Sequence, residues 1–197
     1  MRLIHGLMIA ALVLLTGCGT TPSSNYYLLS SPENGLPGGA EPSLGIGPIV
    51  IPEYLNRNSM VFLEGENALH IASYERWAEP LGDGIQRVMA MNLAGMLDTQ
   101  NVRAFPWAQS RAPEYGIRLR IAALDAGQGK ARLVAEWVLL NESATSEVTR
   151  RLSRLEAGIP EGDDRGSAVA AAYSELLYRL SEEIAAAVRE TDAAVGG

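Results

Sequence analysis

Residues 115–139 read YGIRLRIAALDAGQGKARLVAEWVL, and the fold class follows from how this stretch alternates. Ile117, Leu119 and Ile121 fall on one side of an extended chain, with Arg118 and Arg120 on the other. That is the pattern of a strand buried on one face only. After a turn from Asp125 to Gly129 the alternation resumes, with Ala131, Leu133, Ala135, Trp137 and Leu139 inward and Arg132 and Glu136 outward. Two strands joined by so short a turn are antiparallel neighbours. A weaker alternation over 147–155 adds a third strand and completes a meander.

On both sides of the meander the apolar period changes from two to about three and a half. Leu81, Ile85, Val88, Met89, Leu93, Met96 and Leu97 share one face of a predicted helix, with Gln86, Arg87 and Asn92 on the opposite face. A second helix is predicted from Val169, Tyr173, Leu176, Leu177, Leu180, Ile184 and Val188, with Asp163, Asp164 and Gly166 at its start. Earlier segments read as strands: Tyr26–Leu29, Leu44–Ile51, a hairpin of Met60–Leu63 with Ala68–Tyr74, and Val102–Phe105 closed by Pro106. Gly45 and Gly47 allow close backbone approach. Ser30–Pro42 carries three prolines and three glycines and is expected to be irregular. The sum is one α+β domain over 26–190, an antiparallel-rich mixed sheet with two long amphipathic helices packed on it, and a flexible tail over 191–197.

The start of the chain has a different character. Arg2 precedes a short apolar run from Leu7 to Leu15, which is the layout of an export signal and too short for a span of roughly 20 residues. The run ends in Leu15, Thr16, Gly17 and Cys18, which resembles the bacterial lipobox, where the cysteine is acylated and the preceding bond is cut. Residues 1–17 are therefore expected to be removed, leaving a lipid on Cys18 and a tether over 18–25. Cys18 is the only cysteine, so no disulfide within the chain can form. Two or three acyl chains hold stably where one holds marginally. By resemblance to such lipoproteins, Gly19 in the place of a retention aspartate implies the periplasmic face of the outer membrane.

Removing residues 1–17 takes Arg2 from the 16 basic residues, so 15 basic face 23 acidic ones and the net charge becomes minus 8. This balance, with Lys130 as the single lysine, argues against nucleic acid. It argues equally against a broad electrostatic grip on anionic lipid headgroups, so any lipid contact beyond the anchor is expected to be apolar.

Catalytic arrangements are scarce. His70 is the one histidine after residue 17, it sits between Leu69 and Ile71 in a predicted strand, and no Gly-x-Ser-x-Gly elbow occurs. Thiolate zinc sites and cysteine–histidine pairs are excluded because Cys18 carries the lipid. Gly127, Gln128, Gly129 and Lys130 lack the following Ser or Thr and the helix of a phosphate loop, and read as a hairpin turn. Glu182 and Glu183 are adjacent on a helix and do not converge. Arg150, Arg151 and Arg154 form a small basic cluster expected to pair with Glu142 or Glu147 across the sheet. No catalytic residue, metal ligand or cofactor beyond the covalent lipid is assigned, and the chain is not expected to be an enzyme.

Two motifs carry a family resemblance. Gly47-Pro-Ile-Val-Ile-Pro-Glu-Tyr-Leu-Asn-Arg57 and Tyr74-Glu-Arg-Trp-Ala-Glu-Pro-Leu81 closely resemble the PqiC-type family of ABC-type transport auxiliary lipoproteins. Tyr26–Leu29 and Phe105-Pro-Trp107 fit it too, and past residue 140 only the order of elements matches. The resemblance implies an outer-membrane-anchored, non-catalytic docking part that meets an MCE-domain (PqiB-like) protein in phospholipid movement between inner and outer membranes; a homo-oligomer stays open. Pro52, Glu53, Tyr54, Arg57 and Trp77 are the candidate partner-binding residues. Each has a local reading as well: a loop folded back on the sheet edge with a Glu53–Arg57 ion pair, and Trp77 wedged with Pro80 into the core. Two other functions remain open on sequence, a structural lipoprotein binding cell-wall polymer and a lipid-anchored hydrolase using carboxylates.

Overall fold

The computed structural model describes residues 23–33, 35–141, 144–162 and 164–195. Cys18, Glu142 and Asp163 lie outside them. Five strands form the main sheet in the order β5-β2-β6-β7-β8: β2 is Leu44–Val50, β5 Val102–Ala104, β6 Tyr115–Gly127, β7 Lys130–Asn141 and β8 Ser146–Gly158. β2 runs parallel to both β5 and β6, and β6, β7 and β8 are the antiparallel meander. β8 pairs along its full length with β7, so it is longer than the 147–155 expected of it.

The remaining strands make a second sheet, β1-β4-β3, from β1 Asn25–Tyr27, β3 Ser59–Glu64 and β4 Ala68–Trp77. This division was not legible in the sequence. The β3–β4 hairpin crosses β6 at Gly127, where an added Cβ would stand 2.5 Å from the Leu63 carbonyl oxygen. Backbones this close pack without sharing a ladder.

Two helices cover one face of the main sheet: α1, Leu81–Met96, lies against β2 and β5, and α2, Arg165–Val195, against β7, β8 and α1. Leu93, Met89, Leu176, Leu180 and Trp137 are wholly buried in the core between these layers. Each such side chain contributes about 1.5–3 kcal/mol by leaving water. α1 starts after Pro80, whose fixed φ suits a helix entrance. It ends in a Schellman turn: the Thr99 amide donates to the Ala94 carbonyl at 3.0 Å and the Asp98 amide to Gly95 at 3.3 Å, with Asp98 at φ 50° where glycine is usual.

The polar face expected of α1 is not solvent. Asn92 is fully buried and donates to the Ser181 hydroxyl of α2 at 3.2 Å, and Arg87 donates to the Leu29 carbonyl at 2.9 Å and to Glu79 at 2.5 Å. A helix packed on both a sheet and a second helix has two buried faces, and the single apolar stripe showed only one.

Asp164 stands just before α2, and its carboxylate accepts from the Ser167 amide at 2.9 Å and from the Tyr27 hydroxyl at 2.8 Å. These bonds, the backbone one first, hold its pKa below the usual carboxylate range. A depressed pKa in the folded state gives stability that is present above the unfolded value and is lost as pH falls through the folded one. Asp164→Asn is therefore expected to flatten the acid limb of the stability curve, measured by urea unfolding at stepped pH between neutrality and the acid transition.

At its other end α2 continues to Val195, so residues 191–195 are not the tail expected from the end of apolar periodicity at Val188. Tyr115 donates to Asp192 at 2.5 Å and Arg189 to the Met96 carbonyl at 2.6 Å, tying this last turn to the sheet and to α1.

Candidate functional site

The first family motif begins inside β2. Its ladder with β6 shifts register between Ile46 and Ile49, around Gly47 at φ 113°, and the Gln86 amide of α1 donates to the Ile46 carbonyl at 2.7 Å. The irregularity turns Pro48 and Val50 toward the face of the sheet that carries no helix, where Val50 is 44% exposed.

Beyond Pro52 the chain makes one 3₁₀ turn, Glu53–Leu55. Leu55 is buried, and the Tyr54 hydroxyl donates to the Asp125 carboxylate at 2.7 Å, which also accepts from Arg132 at 2.9 Å. Burial first, and then the Asp125 carboxylate, push the Tyr54 pKa up, so the phenol keeps its proton and remains a donor. Tyr54 and Leu55 thus fasten the loop, while Glu53 and Arg57 stand exposed on it. No ion pair joins Glu53 to Arg57 among the described residues, contrary to the local pairing expected. Their charges face outward instead.

Trp77 separates from this group. It is 6% exposed and stacks on Tyr173 of α2 with ring centroids 6.1 Å apart. Of its two readings the core one describes its position, and the surface around Pro52, Glu53 and Arg57 does not include it. The third motif, Phe105–Trp107, packs edge to face at 5.4 Å beside β5.

The helix-free face of the sheet holds what sequence reading did not assemble. Register places Arg118 opposite Val138 and Val138 opposite Arg150, with Arg120, Glu136 and Leu152 as the next row. Arg154 lies one row further, opposite Val134. Arg151, with opposite parity on β8, turns to the other face, over the Trp137 ring at 5.6 Å and 3.7 Å from Glu190. The predicted trio is therefore split by the strand period of two. Arg150 pairs with Glu147 of its own strand at 2.8 Å and with Glu136 of β7. Alternating arginines at 118 and 120 and at 150 and 154 were a visible signal, but joining them needs the strand register.

His70 is exposed, 3.8 Å from Glu64 and stacked beside Phe62 at 6.3 Å. Gln128 and Gly129 form the tight β6–β7 turn with φ of 51° and 74°, a hairpin connection. Among the described residues no group of His, Cys, Asp and Glu could hold a metal ion, and no helix is long and apolar enough to cross a membrane.

A mixed sheet roofed on one face by two helices, with the first motif running out of β2 and the second closing β4 of the small sheet, defines a single α+β domain. Residues 26–185 match the family described as the ABC-type transport auxiliary lipoprotein component, and the chain belongs to it. Among curated proteins it is similar to the intermembrane transport lipoprotein PqiC of Escherichia coli (strain K12), 23% identical over 185 residues that cover 90% of this chain and 96% of PqiC. The PqiC of Shigella flexneri matches to the same extent. Among solved structures, a Xanthomonas campestris protein shares the fold with a TM-score of 0.64 at 14% identity, over 86% of this chain and 99% of its own.

Proposed function

We propose that this chain is a non-catalytic, membrane-anchored component of an MCE-type system that moves phospholipid between the inner and outer membranes. The acylated Cys18 fixes it to the periplasmic face of the outer membrane, and the loop carrying Pro52, Glu53 and Arg57 meets an MCE-domain (PqiB-like) protein. One observation carries the reading: the family match spans nearly the whole folded domain, including this loop. The loop's construction agrees, because Tyr54 and Leu55 hold it to the sheet and leave two opposite charges free to select a partner.

Crosslinked capture of the tagged full-length chain from membranes, followed by mass spectrometry, tests the partner. Recovery of an MCE-domain protein, reduced by Arg57→Glu, is expected; capture of cell-wall fragments alone would overturn the reading. The anchor has its own measurement. Cys18→Ala should move the chain from the membrane to the soluble fraction, and full retention would refute lipidation at that cysteine.

A further inference from the structure

The helix-free face of the main sheet is concave between β2 and β8, where a hollow of about 220 Å³ is lined by Pro48, Val50, Arg118, Arg120, Glu136 and Arg150. Three guanidinium groups face one carboxylate, in a chain whose overall charge is strongly acidic. Glu136 is engaged by Arg150, which Glu147 also holds. Among the described residues neither Arg118 nor Arg120 forms a direct ion pair, though Arg150, and with it the Arg118 charge, holds the Glu147 carboxyl below the usual range. Arg118 and Arg150 flank Val138 from strands two apart, roughly 9–10 Å between backbones, a gap their long side chains can close over a bound anion.

The floor between the arginines is aliphatic. Pro48 and Val50 stand exposed on it, Val138 lies buried beneath, and Leu152, 58% exposed, extends it in the row beside Glu136. Water solvates the exposed Pro48, Val50 and Leu152 side chains poorly. Forked donors for a tetrahedral or planar anion beside open aliphatic surface suit an amphiphile, whose charged end the guanidiniums bind and whose apolar part Val50 and Leu152 receive. The expectation that lipid contact would be apolar only came from net charge, which averages over a surface whose arginines the strand period gathers on one side.

We propose that this hollow binds the phosphodiester headgroup of an anionic phospholipid, with Arg118 and Arg120 as the principal donors and Val50 and Leu152 against the first part of the acyl chains. The site deepens the transport reading. The two fail separately, because lipid binding by the purified chain needs no protein partner.

The test is calorimetric titration of the purified full-length chain in non-ionic detergent with short-chain phosphatidylglycerol, phosphatidylcholine of equal chain length, glycerol phosphate and inorganic phosphate. Saturable binding of phosphatidylglycerol is expected, weakened more than about tenfold by Arg118→Gln with Arg120→Gln, since each removes a charge-assisted donor to the anion. Both side chains are exposed, so the double variant should keep its thermal midpoint, and Arg151→Gln on the opposite face of the same sheet should leave binding unchanged. Absence of saturable binding, equal binding by the double variant, or equal loss in Arg151→Gln would overturn the proposal. Glycerol phosphate or inorganic phosphate binding as tightly as the lipid would overturn the assignment to lipid and leave a free-phosphate site.

Discussion

Replacing Trp77 with alanine is expected to cost about 3–5 kcal/mol of folding stability, the range for deleting a large buried aromatic. Urea unfolding followed by circular dichroism would show the loss as a lower midpoint at unchanged slope. The reason lies in where β4 ends. Trp77 closes that strand, pairs in register with Tyr27 of β1, and lays its ring on Tyr173 beneath the small sheet. Removing the indole leaves a cavity between that sheet and α2 which neither can collapse to fill. A loss below about 1 kcal/mol would instead place Trp77 among residues kept for a partner.

Gly127→Ala should destabilise by about 1–3 kcal/mol, although it adds a single methyl group. That methyl group would stand 2.5 Å from the Leu63 carbonyl oxygen and 3.2 Å from the Leu63 Cβ, so the hairpin has to lift off β6 to admit it. Gly158→Ala provides the contrast. It lies at the end of β8 with nothing within 4 Å of the new Cβ, and its midpoint should barely move. Similar losses for the two would show that the hairpin is more loosely seated than the contact implies.

The meander and both helices were legible in the sequence because each buries one face, and one-sided burial writes a period of two or of 3.6 into the chain. Asn92 was misread for the same reason. Its polar side chain faces another helix rather than water, and a hydrophobic pattern registers a hydrogen bond to Ser181 as exposure. The candidate loop was legible only through its family motif. Its fastening by Tyr54 to Asp125, 71 residues away, depends on tertiary structure that no local pattern encodes. The arginine face lay beyond sequence reasoning for a related cause: its members come from β6 and β8, and their proximity is a property of register.

The 31 residues of α2, at 1.5 Å each, make a rod of about 46 Å. One end is clamped to Tyr27, close to where the tether enters; the other is clamped through Asp192 to Tyr115 and through Arg189 to the last turn of α1. The helix thus acts as a ruler. The end of the domain bearing Asp192 is held at a fixed distance from Tyr27, and a partner that reads both ends is measured against the same length in every copy.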